Sequence, residues 1–110
     1  MRAASLRRAV LAALLAGTVA GGPARSAAEG SGQEVFARTC AFCHFTDTTD
    51  RKVGPGLEGL FRRERLPVSG DPVSEERVRR QIRRGSGVMP PHPHLSDTDV
   101  AALVHYLRTL

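Results

Sequence analysis

Both cysteines of this chain lie in one five-residue stretch, Cys40-Ala41-Phe42-Cys43-His44, with a histidine directly behind the second. No other feature constrains the fold so strongly. A disulfide between Cys40 and Cys43 would close a very small loop and remove little entropy from the unfolded chain. The pair therefore cannot serve as the covalent staple that a small domain usually needs. Two thiols and an imidazole at this spacing suit three other roles: a redox dithiol, a zinc site, or the attachment of a haem.

The size of the folding unit sharpens that choice. Arg2, Arg7 and Arg8 precede a 12-residue apolar run, Ala9 to Ala20, and small residues around Ser26, Ala27 and Ala28 follow. This is the layout of a secretory signal peptide. The run is short for a membrane span, which takes roughly 20 residues; an uncleaved N-terminal anchor is the alternative. The expected organisation is a signal peptide over 1–27, cleaved near 27/28, and one domain over 28–110, placed in the periplasm. A domain of that size has little room for a deep core of its own.

Charge excludes one class of partner. The formal charge is +5, but four of the 16 basic residues (Arg2, Arg7, Arg8, Arg25) precede residue 28, leaving 12 against 11 acids. A near-neutral domain has no electrostatic footprint for nucleic acid.

Three helices are predicted, and no segment alternates as a strand. The first runs from about Gly32 to Thr39, with Val35 and Phe36 apolar, and leads into Cys40. The second runs from about Ser74 to Arg84. Ser74 is its N-cap, Glu75 and Glu76 open it, Arg83 and Arg84 close it, and Gly85 is the stop, a charge order that matches the helix dipole. Val78 and Ile82 mark its inner stripe. The third opens at Ser96, with Asp99 as a capping-box-like partner. Val100, Leu103, Val104 and Leu107 recur on one of its faces. Gly- and Pro-rich loops connect the helices. An all-α chain with long loops and little core suggests a polypeptide wrapped around a large apolar group.

That pattern weighs the three roles of the motif. A thioredoxin-like dithiol needs a βαβ setting, and this chain is too short for it. Zinc would need Cys40, Cys43, His92 and His94, but the two histidines are two apart, closer than the usual ligand spacing. Cys-x-x-Cys-His is the attachment signature of c-type haem. On one helical turn, thiols three residues apart reach two vinyl groups, and the next residue presents its imidazole to the iron. Haem is the reading that agrees with export, with two cysteines only and with a helical pattern.

Across nearly the whole of 28–110 the chain resembles the small class I cytochromes c. GQEVFARTCAFCH is similar to the family's first helix and haem motif, GPGLEGLF to its Gly-Pro-x-Leu stretch, and GVMPPHPHLSDTDVAALVHYLRTL to its methionine loop and last helix. The resemblance implies an all-α cytochrome c-like fold around one covalent haem c. It implies that Cys40 and Cys43 carry the haem and that His44 binds the iron. It also implies that the carbonyl of Pro55 accepts the other ring N–H of His44, and that Arg62 or Arg63, Arg63 by preference, pairs with a haem propionate.

The sixth iron ligand is expected from Met89, the one methionine after the signal, in a stiff Val-Met-Pro-Pro loop; His/Met ligation raises the reduction potential. His92 and His94 stand close by as rival ligands, and His105 is expected at the surface of the third helix. Phe36 and Tyr106 are expected to pack where the first and last helices cross. The expected function is a one-electron carrier cycling Fe(II)/Fe(III), not an enzyme. Its partners would be redox proteins: a dehydrogenase, an oxidase or another cytochrome. Nucleic acid is not among them, and membrane contact arises only through partners or an uncleaved anchor. The alternatives are a cytochrome subunit of a dehydrogenase or oxidase complex, an open-site haem protein that binds a gas or peroxide, and a zinc-binding structural module. The arginines of the second helix offer a basic side for an acidic partner.

Overall fold

The computed structural model describes residues 31–110, together with Gly17, Thr18, Gly21 and Gly22. The proposed signal peptide and its cleavage site lie outside the described residues. Among the described residues there are three α-helices, α1 (Gly32–Thr39), α2 (Glu75–Arg84) and α3 (Asp97–Leu107), with one short 3₁₀ turn at Leu60–Arg62. Among the described residues extended pairing is limited to two isolated bridges, Arg65 with Pro72 and Ser86 with Met89. The fold is all-α, as expected, and no described helix is long and apolar enough to cross a membrane.

Local chemistry accounts for where each helix starts. The Ser31 hydroxyl accepts the Glu34 N–H, and the Glu34 carboxylate accepts the Ser31 N–H at 2.7 Å, a complete capping box. Two otherwise unpaired backbone donors are satisfied reciprocally, which is worth about 1 kcal/mol. The Ser-x-x-Glu signature was legible in the sequence, although apolar spacing alone overlooks it. Ser74 caps α2 by accepting the Arg77 N–H at 3.2 Å. Ser96 caps α3 by accepting from Asp99 at 3.0 Å. The Asp99 carboxylate turns instead to Arg38 on α1, 3.6 Å away. Asp is one methylene shorter than the usual Glu, and the Arg38 cation from the neighbouring helix draws it away.

Packing then brings α1 across α3. Gly32 lets the two backbones meet: a Cβ there would collide with the Ala102 carbonyl and lie 2.6 Å from Tyr106 Cβ. One turn on, the Phe36 and Tyr106 rings meet edge-on at 5.7 Å, the favoured geometry for an aromatic pair. Val35, Val100, Leu103 and Val104 are almost fully enclosed here. The helix crossing is therefore a true core, firmer than the sequence suggested. The expected shortage of core appears on the other side. Leu57, Leu60, Val78, Ile82 and Leu107 belong to the same apolar cluster, yet they also line a large cavity.

Ion pairs tie α2 to α3. Glu75 accepts from Arg79 one turn away and from Arg108 beyond the end of α3, at 2.7 and 2.9 Å. At the other end, the Arg83 guanidinium donates to the Leu95 carbonyl and to the Asp97 carboxylate. The loop between α2 and α3 is thereby closed at its base.

Candidate haem site

The Cys40–His44 segment continues α1 as one more turn. Cys40 N–H donates to Phe36 O at 2.8 Å, and His44 N–H donates to Cys40 O at 3.1 Å. A helical turn carries residues i and i+3 to one face, so Cys40 and Cys43 face the same cavity, and His44 joins them on its lining.

The loop after the motif fixes the imidazole. Gly54 N–H donates to Cys43 O at 2.8 Å, and Leu57 N–H to Phe45 O at 2.9 Å. These bonds lay residues 54–57 against the His44 ring. His44 Nδ1 lies 2.8 Å from the Pro55 carbonyl oxygen. A carbonyl can only accept, so Nδ1 carries a proton there, and Nε2 is the ring nitrogen left for another partner. Gly54 makes the approach possible: a Cβ there would sit 2.5 Å from His44 Cε1 and 2.9 Å from Nδ1.

Met89 reaches the same cavity from the loop between α2 and α3. Ser86 and Met89 exchange two backbone hydrogen bonds, at 3.0 and 2.9 Å, closing a four-residue turn. Gly85 enters that turn at φ +61°, in the left-handed region, which an L side chain rarely adopts. His92 N–H donates to Ile82 O at 3.1 Å and holds the far limb of the loop on α2.

The cavity is about 600 Å³, within the ~300–1,000 Å³ typical of cofactor sites. Its walls are mainly aliphatic, and Val68 and Val88, on its lining, are largely exposed. Arg51 is the arginine on this lining; the sequence offered no periodicity or motif that singled it out. Arg63 is placed elsewhere. Its guanidinium donates to Gly56 O at 3.1 Å and to Glu58 O, so it braces the loop that carries Pro55. Arg62 donates to the Leu110 carbonyl at 2.6 Å. His92 lines the cavity, while His94 and His105 are exposed.

The basic side expected of α2 is largely neutralised. Arg77 pairs with Asp71, Arg79 with Glu75, Arg80 with Glu76 and Arg83 with Asp97. Glu75 and Glu76 lie one turn away on α2 itself, at i,i+4 spacing, whereas Asp71 comes from the preceding loop and Asp97 from α3, partners that helix spacing alone does not reveal.

Electrostatics bear on the role of Cys40. Burial, reinforced by the neighbouring Cys43, pushes the Cys40 thiol up to about 11. A reactive dithiol depends on a thiol whose pKa is lowered; the shift at Cys40 runs in the opposite direction. Among the described residues no three His, Cys, Asp or Glu side chains are grouped to hold a metal ion. Cys40, Cys43, His92 and His94 therefore do not make a zinc centre. Two thiols facing one cavity, an imidazole whose Nδ1 is committed to the Pro55 carbonyl, a thioether and cofactor-sized aliphatic walls are the donor set that fits a haem. With the all-α fold, they define a c-type cytochrome domain, a haem-binding electron-transfer module.

Comparison with known proteins carries the assignment one step further. The chain belongs to the family described as cytochrome c oxidase, cbb3-type, subunit III, which matches residues 27–107. It is also 32% identical over 85 residues to a cytochrome c oxidase subunit 2 of Alkalihalophilus pseudofirmus, an alignment covering 72% of this chain. The chain spans about a quarter (25%) of that relative's length.

Proposed function

We propose that this domain is an exported monohaem carrier that passes one electron at a time, serving as the cytochrome c module of a respiratory oxidase complex. The observation that carries the reading is the His44 Nδ1 to Pro55 O bond of 2.8 Å inside a cofactor-sized cavity that also holds both thiols and Met89. The bound haem would supply an iron that alternates between ferrous and ferric states. Cys40 and Cys43 would hold it through thioethers, and His44 Nε2 and Met89 Sδ would be the axial donors. Pro55 fixes the His44 tautomer and strengthens its donation. Arg63 acts through the loop, by keeping the Gly56 and Glu58 carbonyls in place. Arg51 lines the cavity and is the cation that would meet a propionate. The aliphatic walls would limit water at the bound group, and His44 and Met89 would hold it in the same way before and after each electron transfer.

The oxidase partner is favoured over a dehydrogenase because both the family description and the relative's name are those of oxidase subunits. With so many arginines of α2 already paired, apolar contact at the rim, where Val68 and Val88 are exposed, contributes more to docking than a basic face. Residues 1–27 would direct export to the periplasm.

The test is spectroscopic. Purified protein should be red, should retain its haem in acidified organic solvent, and should contain one haem per chain. The ferric form should show a sulfur-to-iron band in the red that Met89→Ala abolishes, and the ferrous form should be slow to bind carbon monoxide. A colourless protein, or haem extracted by acid solvent, refutes covalent haem. Rapid carbon monoxide binding refutes ligation by Met89 and favours an open site. The mature N-terminus, sequenced from a periplasmic fraction, should fall near residue 28.

A further inference from the structure

We propose that Gln81 is a positioning residue for the Met89 sulfur, selecting which of its two lone pairs faces the cavity. The proposal rests on the reading of Met89 as an iron ligand. Gln81 lies on α2, half-buried, and lines the same cavity. Its Nε2 donates to Met89 Sδ at 3.3 Å and to the Ser86 hydroxyl at 2.8 Å. A thioether sulfur can only accept, so the amino end of the amide, not its carbonyl, must face it. Both N–H groups of one amide are thus spent within the turn that carries Met89.

The backbone does not need this help. The Ser86–Met89 turn is closed by its own pair of hydrogen bonds, and His92 N–H on Ile82 O holds the loop's other limb. The unbranched Met89 side chain is what remains free. It has three rotatable bonds and no branch to restrict them. A thioether that ligates a metal uses one lone pair and so becomes a stereocentre at sulfur. Two configurations are then open to it, and side-chain rotation exchanges them. An N–H bonded to one lone pair leaves only the other for the metal and selects one configuration. The same bond draws electron density from sulfur, making it a weaker donor to the ferric state. Gln81 thereby both fixes the ligand and raises the reduction potential.

The experiment compares the haem-loaded full chain with its Gln81→Leu, Gln81→Ala and Ser86→Ala variants. Readouts are the Met89 methyl resonance in the proton NMR spectrum, the midpoint potential and the red sulfur-to-iron band. Wild type should give one Met89 methyl signal. Gln81→Leu and Gln81→Ala should keep the band but show two methyl signals, or one exchange-averaged signal, and a lower potential. Ser86→Ala, which leaves the amide-to-sulfur bond in place, should keep the wild-type methyl pattern. If both Gln81 variants match wild type in methyl pattern and potential while the band persists, the proposal is overturned and Met89 ligation stands. If wild type lacks the band, Met89 ligation falls and the proposal with it. If neither Gln81 variant retains haem in a folded chain, Gln81 belongs to assembly and the proposal is likewise overturned.

Discussion

Gly54→Ala tests the link between the backbone and the His44 ring most directly. The added methyl would lie 2.5 Å from His44 Cε1, 2.9 Å from Nδ1 and 3.2 Å from Nε2. Carbon atoms in comfortable contact are about 3.5–4.0 Å apart, so the ring must retreat by roughly 1 Å or the loop must lift away. Either movement stretches the 2.8 Å contact between Nδ1 and Pro55 O out of hydrogen-bond range. Losing that bond costs about 0.5–1.5 kcal/mol, and forcing a methyl into a filled site costs a further ~1–3 kcal/mol. The sum is about 1.5–4.5 kcal/mol. For a domain of this size, 1 kcal/mol moves Tm by about 4–8 °C, so the holoprotein should melt at least about 6 °C lower. The His44 ring signals in the paramagnetic NMR spectrum should shift as well, because the N–H donor to Pro55 is disturbed. A Gly54→Ala protein with wild-type Tm and unmoved His44 signals would show that the loop does not clamp the ring.

Other consequences are open to measurement. Leu103→Ala empties an enclosed site at the α1/α3 crossing, where Leu103 is 0% exposed, and should cost about 2–5 kcal/mol in urea titration; a value below 1 kcal/mol would mean that the crossing is loosely packed. The Glu75 carboxyl is held below its usual 4.5 by hydrogen bonds from Arg79 and then Arg108. Its folded pKa is therefore below the unfolded one, so its stabilisation is complete above pH 4.5 and is lost as pH falls through the folded value. Glu75→Gln should flatten that acid-side decline in the urea midpoint, and parallel pH profiles would refute the linkage. Arg83→Ala removes the contacts to Leu95 O and Asp97 that close the Met89 loop. It should speed hydrogen exchange at the His92 N–H, which donates to Ile82 O, while leaving exchange at the α1/α3 crossing unchanged.

Much of the site was legible because its signals are local. A helix needs partners three and four residues away, so Ser74, Ser96, Val78, Ile82 and the Val100–Leu107 stripe mark the helices without knowledge of the fold. Cys-x-x-Cys-His is legible for the same reason, since one helical turn carries the whole motif. Asp99 shows where local logic stops. It donates its N–H to the cap as its position demands, but its carboxylate answers a cation on another helix.

The sequence by itself determined the three helices, the motif and the single methionine available downstream. Only the tertiary structure decided where the long side chains go. Arg63 braces the loop carbonyls of Gly56 and Glu58, Arg51 lines the cavity, Gln81 finds the Met89 sulfur, and the arginines of α2 meet acids that remove most of a basic face. The physical reason is reach. An arginine or glutamine side chain spans several ångströms and is satisfied by whichever carbonyl, carboxylate or sulfur converges on it, whether from a loop a few residues away, as for Arg63 and Gln81, or from another helix, as for Arg83 and Asp97.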